Sequence, residues 1–254
     1  MKPFAECSEI AVLVGATGAF GSAIGRRLLG AGLGVVAVAR SADSLQALAA
    51  EHPGVRSCIA DIAEDAASDA IRAAIDKPVR MVVHGPGVAV AGGILTAPTS
   101  SMVDAVNIKV GGLLRLVRAV DDRLTAGSRI VAIGGHYGLE PTAYAAAAGV
   151  ANAALLNVVR QLSLAYGARG ITAHTIVPGP ADTERLHRVA ASRAEQRGCS
   201  TAEVLDELRA ESSLGALTTP EQVAWAITLL LAPEADAMTG SALMLDAGRR
   251  RGLP

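Results

Sequence analysis

Lysine is nearly missing from this chain: only Lys2, Lys77 and Lys109 occur, and none lies beyond residue 109. Cysteine is just as scarce. Cys7, Cys58 and Cys199 are far apart and form no C-x-x-C pair, which excludes a disulfide framework or a zinc site and fits a reducing compartment. No metal is therefore expected. Charge of either sign is not in excess, with 23 basic and 24 acidic residues and a net charge of −1. Such a balance generates no field that would gather nucleic acid or an anionic membrane, and neither is an expected partner. Arg249, Arg250 and Arg251 form the only basic run and read as a solvated tail. No stretch approaches the roughly 18 uninterrupted apolar residues of a membrane span, and the opening Met-Lys-Pro-Phe-Ala-Glu-Cys has no apolar run, so a soluble, cytoplasmic protein is expected. Internal repeats and linkers are missing too, apart from an alanine run at 145–148. At 254 residues and 51% hydrophobic content, a single domain spanning 1–254 is expected.

What is present is organised around residues 10–25. An apolar run from Ile10 leads into Gly15, Gly18 and Gly21, and Ala23, Ile24, Leu28 and Leu29 then recur at helical spacing. This pattern predicts a strand, a glycine turn and a helix that opens at the turn. Glycines let a backbone approach a ligand, while the free amides and dipole of the helix attract a pyrophosphate. With Thr17 between them, these glycines form a candidate dinucleotide cradle.

The second strand, Val35 to Ala39, ends at Arg40, with no acid until Asp43. A carboxylate there would bind ribose hydroxyls and repel a 2′-phosphate, whereas a guanidinium suits the phosphate by charge and fork geometry. NADP is favoured over NAD, the alternative being an exposed surface arginine. Asp61 directly follows the third strand, Val55 to Ala60, and suits either an adenine contact or a helix cap. A fourth strand around Met81-Val82-Val83 ends in His84-Gly85-Pro86-Gly87, a sharp turn on the ligand side in which His84 reads as a packing residue.

A helix is expected from about Ser100 to Leu124 with Asn107 among Val103, Val106, Val110, Leu113 and Leu114. Its amide needs partners, for instance at a kink with a bound water. Then come a strand over Ser128 to Ile133, a loop Gly134 to Gly138 holding His136 and Tyr137, a helix over Pro141 to Ala165, and a strand over Ile171 to Val177. From Thr183 to Leu217 the chain turns polar and reads as a lid, with Ser200 and Glu203 spaced as a capping box. Thr219-Pro220-Glu221-Gln222 opens the last long helix, and Leu243-Met244-Leu245 is a final strand. Strands alternating with helices predict an α/β fold, a doubly wound and mainly parallel sheet covered on both faces.

These motifs together resemble the short-chain dehydrogenase/reductase family: the glycine turn, Asp61, the His84-Gly85-Pro86-Gly87 turn, Asn107 in a helix, Tyr144 ahead of a long helix, Pro178-Gly179 with Thr183, and Thr239-Gly240. The resemblance implies a seven-stranded Rossmann sheet, NAD(P) across its carboxyl edge, a small carbonyl or alcohol substrate, and homodimers or homotetramers built on the long helices. It also implies catalysis by Asn, Ser, Tyr and a Lys four residues after the Tyr. Asn107 and Tyr144 match, but Ala148 stands at the lysine position and Gly135 at the serine position. The glycine spacing departs as well, being G-x-x-G-x-x-G with Ala19 where the middle glycine usually falls. Either His136 or Tyr137 stands where a donor could replace the serine, His136 alternatively facing solvent. Asn152 lies about 12 Å beyond Tyr144 along a helix, too far to replace the lysine, and is expected at a subunit contact.

The expected function is an NADP-dependent reductase of a small or medium apolar carbonyl compound. Tyr144, Asn107 and His136 would serve catalysis, and Gly15, Thr17, Gly18, Gly21, Arg40, Asp61, Gly87 and Thr183 the cofactor. The alternatives are non-redox chemistry on the same fold, as an isomerase, cyclase or lyase, and a catalytically inactive binding subunit.

Overall fold

The computed structural model describes residues 2–89 and 92–252. Seven strands form its sheet: β1 (Ile10–Val14), β2 (Gly34–Ala39), β3 (Val55–Ile59), β4 (Val79–His84), β5 (Leu124–Ile133), β6 (Thr172–Pro178) and β7 (Ala242–Leu245). Every pairing is parallel, in the order β3-β2-β1-β4-β5-β6-β7. Strand β1 is buried along its whole length, as its unbroken apolar run requires of a strand covered on both faces.

One face carries α3 (Ala67–Ala74), α5 (Gly112–Val120) and α6 (Ala146–Tyr166), whose Ile71, Leu116 and Leu155 pack against Val12, Val82 and Ile130. The other carries α1 (Ala19–Gly30), α2 (Ala42–Glu51) and α9 (Pro220–Leu229), with Ile24, Leu45 and Ile227 against Leu13, Ala37 and Val83. Winding direction reverses between the neighbours β1 and β4, so a crevice opens beyond their carboxyl ends, the ligand side in sheets of this kind.

The expected lid is a helix pair, α7 (Glu184–Arg197) and α8 (Thr201–Ala210), with its own small core of Ala190, Ala194, Val204, Leu205, Leu208 and Leu217. A bridge between Ala181 and Thr218 joins its two ends at the sheet. Both expected capping boxes form, Ser200 with Glu203 and Thr219 with Gln222.

Two long helices expected from the sequence are shorter. The segment from Ser100 is interrupted: α4 (Thr99–Val106) ends in one π-helical turn, Asn107–Gly111, before α5 begins. The expected kink at Asn107 is present, satisfied by protein groups. Its Nδ2 donates to the Ala63 carbonyl and its Oδ1 accepts from Arg115. Helix α6 starts at Ala146 and not near Pro141, because the Ala143 carbonyl accepts from the amide of Ile94, which holds the chain in a loop there.

Candidate functional site

The glycine turn is built as the sequence implies. Gly15 has φ +84°, and its amide donates to the Val38 carbonyl, tying the turn to the end of β2. A Cβ on Gly21 would overlap the Gly15 carbonyl and stand 2.6 Å from the carbonyl carbon of Ala16, so this position has to be bare. Gly18 is the N-cap of α1, where no side chain caps the opening amides and no acid occupies the first turn. A Cβ there would meet nothing closer than 3.5 Å. The turn therefore leaves exposed Thr17 and Gly18 beside unpaired helix amides, the donor set a pyrophosphate needs.

Arg40 extends from the end of β2 with its side chain 80% exposed, its guanidinium 3.8 Å from the Asp61 carboxylate. Asp61 also accepts from the amide of Ala63, a turn contact and not a helix cap, since α3 begins at Ala67 with no side chain capping it. Both residues stand at the same edge of the crevice.

Beyond β4 and β5 lies a cavity of about 600 Å³ lined by Gly134, Gly135, His136, Tyr137, Tyr144, Pro178, Thr183, Arg185 and Arg193, among others. Thr183 caps α7 by accepting from the Leu186 amide. From that helix Arg185 reaches across and donates to the Val88 carbonyl, close enough that a Cβ on Gly87 would lie 2.5 Å from its Nη1. The atom such a Cβ would meet is the far end of a flexible side chain, so the place of Gly87 is tight without excluding one.

The phenol oxygens of Tyr137 and Tyr144 are 2.5 Å apart. Arg193 stacks over the Tyr144 ring at 4.3 Å, and Arg249 approaches the phenol from the chain's last segment. Burial on its own would raise the Tyr144 pKa, but the hydrogen bond with Tyr137 and the two guanidinium groups outweigh it and hold the phenol below its ordinary value. Tyr137 is pushed the other way, by burial and by its bond to Tyr144. Either hydroxyl can donate within the pair, and Tyr144, the one whose pKa is lowered, is the more acidic partner.

His136 is buried, not solvent-facing. It lies 3.8 Å from the Tyr137 ring, centroid to centroid, and burial, reinforced by Arg249, lowers its pKa to about 4. It is neutral at physiological pH, with Nε2 lacking a partner. His84 is fully buried and bonded to the Ile108 carbonyl, a packing residue as expected.

Several expectations need correction. Tyr144 precedes α6, so Tyr144 and Ala148 do not share a helix face, and four-residue spacing on that face instead relates Ala148 to Asn152. Asn152 is buried within its own chain against Gly135 and Gly138, not left for a subunit contact. Asn107 turns toward Ala63 and Arg115 and does not line the cavity. The arginine run is no solvated tail either: Arg249 bonds the Leu208 carbonyl and pairs with Glu211, while Arg250 lies 3.6 Å from Glu140.

Two cations escaped the sequence reading. Lys109, on the π-helical turn, is buried and donates to the Ile133 carbonyl at 2.7 Å, its pKa lowered to about 7 by burial and by Arg185. A lysine among the apolar residues 103–114 was the available signal. Arg193 carried none, because its place depends on how α7 packs over the cavity. Among the described residues no cluster of His, Cys, Asp and Glu could hold a metal, and no helix is long and apolar enough to cross a membrane.

A parallel seven-stranded sheet in this order, a glycine turn at its switch point and a tyrosine-bearing cavity beyond β5 define a class, and the chain matches the family model described as enoyl-(acyl carrier protein) reductase over residues 15–250. It belongs to the short-chain dehydrogenase/reductase family of oxidoreductases. Among named relatives it is 28% identical to a putative ketoacyl reductase of Streptomyces coelicolor, covering 95% of this chain and 97% of that one. Among solved structures, an actinorhodin polyketide ketoreductase variant with NADPH superposes with a TM-score of 0.88 at 25% identity, covering 98% and 99% of the two chains. L-sorbose reductase of Gluconobacter frateurii, solved with NADPH and L-sorbose, shares the fold at a TM-score of 0.87 and 22% identity, covering 97% and 98%.

Proposed function

We propose that this chain is an NADP-dependent reductase of a small-molecule carbonyl compound. The observation that carries this reading is the arrangement along one sheet edge: an uncapped glycine cradle at β1 and an acidified tyrosine in the cavity beyond β5. The cradle fits a pyrophosphate by its bare glycines and free amides. Gly15, Thr17, Gly18 and Gly21 would hold that group, Arg40 the 2′-phosphate, Asp61 the adenine, and Gly87 with Thr183 the nicotinamide end. When bound, the reduced nicotinamide supplies a hydride. The NADPH-bound ketoreductase neighbour and the ketoacyl reductase relative favour the same chemistry.

The chain's own part is the proton. Tyr144 donates to the developing alkoxide, and Tyr137 then donates to the phenolate left behind. Arg193 and Arg249 stabilise that anion, the work a neighbouring ammonium would otherwise do. His136, kept neutral, contributes hydrogen bonding and no charge. Asn107 acts as a positioning residue that fixes the π-helical turn bearing Lys109. Exposed Val103 on α4 and exposed Val150 and Leu164 on α6 support a homodimer or homotetramer built on these helices. The cytoplasm is the expected location.

NADPH consumption across a panel of ketones tests the reading. Turnover that falls about a hundredfold or more in Tyr144→Phe is expected. NADPH binding without turnover of any carbonyl would overturn it in favour of non-redox chemistry or a binding role, a reading favoured by Asn152 filling the space beside Gly135.

A further inference from the structure

The cavity's charge is one-sided. Among the described residues that line it are the cations Arg185 and Arg193, but no aspartate or glutamate. The nearby carboxylates are engaged elsewhere: Glu211 with Arg249, Glu140 with Arg250, and Asp246 with the backbone amides of Gly248 and Arg250. Arg185 is turned to the Val88 carbonyl. Arg193 is different. No carboxylate among the described residues lies within ion-pair distance of it: Glu207, which feels its charge, is paired with Arg197, and the contact Arg193 makes in the cavity is with the Tyr144 ring. A guanidinium placed over a ring keeps N–H donors that a planar, bidentate anion can use. In the lining of the same cavity, the buried Nε2 of His136 also lacks a partner.

We infer that the carbonyl substrate is itself an anion, a 2- or 3-oxo acid whose carboxylate is held on the N–H donors of Arg193 above Tyr144. This rests on the reductase reading and departs from the apolar substrate expected from sequence. Arg193 lies over the ring whose hydroxyl delivers the proton, so a carboxylate on its donors brings a carbonyl one or two carbons away to that hydroxyl. Hydride adds to the carbonyl carbon and the Tyr144 proton to its oxygen. The oxo acid becomes a hydroxy acid as NADPH is oxidised to NADP⁺.

The experiment compares 2-oxohexanoate with its methyl ester as substrates, and hexanoate with hexanamide as unreactive probes of the NADPH-loaded chain by calorimetry. The acid should exceed the ester at least about tenfold in kcat/KM, and hexanoate should bind while hexanamide does not. In Arg193→Gln both preferences should disappear, and Arg193→Lys should restore part of them. An ester reduced as well as the acid, or a preference that survives in Arg193→Gln, would overturn the inference and leave the reductase reading standing. Neither compound reduced, with hexanoate still bound through Arg193, would overturn the reductase reading and keep the anion site.

Discussion

A Cβ on Gly135 would stand 2.9 Å from Nδ2 of Asn152. The loop after β5 and the second turn of α6 are therefore fitted to each other around a missing side chain. Gly135→Ser should destabilise the fold by about 1–3 kcal/mol through overpacking. Asn152→Ala in the same chain should recover most of that loss. Urea denaturation of the two single variants and the double variant measures the coupling, and additive effects would contradict the fit.

Two glycines of the turn separate folding from binding. Gly21→Ala forces a Cβ into the Gly15 carbonyl and should lower both thermal stability and NADPH affinity. Gly18→Ala meets nothing closer than 3.5 Å within the chain, so stability should hold while NADPH affinity falls about tenfold. Calorimetry with a thermal melt on each variant checks the pair. Unchanged affinity in Gly18→Ala would place the pyrophosphate elsewhere.

Arg40 is free enough to turn toward a phosphate, having only a 3.8 Å approach to Asp61. Arg40→Ala should raise the Kd for NADPH about tenfold and leave that for NADH within about twofold. An equal effect on both cofactors would make it an ordinary surface charge.

The hydrogen bond with Tyr137 helps hold down the pKa of Tyr144. Tyr137→Phe should therefore move the pH profile of alcohol oxidation toward alkaline values, by about one unit, with the maximal rate less affected. A profile that stays in place would remove Tyr137 from the proton path.

Burial lowers His84, His136 and His174 from 6.5 to about 3, 4 and 4. The folded chain then binds fewer protons than the unfolded one below pH 6.5, so stability is complete above that value and is lost as pH falls toward 4. The slope per histidine approaches about 1.4 kcal/mol per pH unit. The lowered carboxylates, Asp76 and Asp121 from 3.8 and Glu203 and Glu207 from 4.5, act around and below those values, so the fall between about pH 6.5 and pH 5 belongs to the histidines. Urea midpoints measured from pH 7 to pH 4.5 should fall, and a flat series would contradict the burial of these rings.

What the sequence disclosed was local in origin. Gly15 to Gly21, the capping boxes at Ser200 and Thr219, and the need of Asn107 for partners are all set by residues a few positions apart, and each took its expected form. The tyrosine site was legible only in part. Tyr144 was identifiable as a residue, but its place outside α6 depends on a hydrogen bond from Ile94, and its cations come from Arg193 on the lid and Arg249 near the last residues. Those contacts join segments about 50 to 100 residues apart, where spacing carries no information. Four-residue spacing relates Tyr144 to Ala148 only if both are helical, and α6 contains Ala148 but not Tyr144.

Titration of the chain with NADPH, followed by calorimetry beside a parallel titration with NADH, bears most directly on the whole account. NADPH should bind at roughly micromolar Kd and at least about tenfold more tightly than NADH. No heat with NADPH at about millimolar concentration would contradict it.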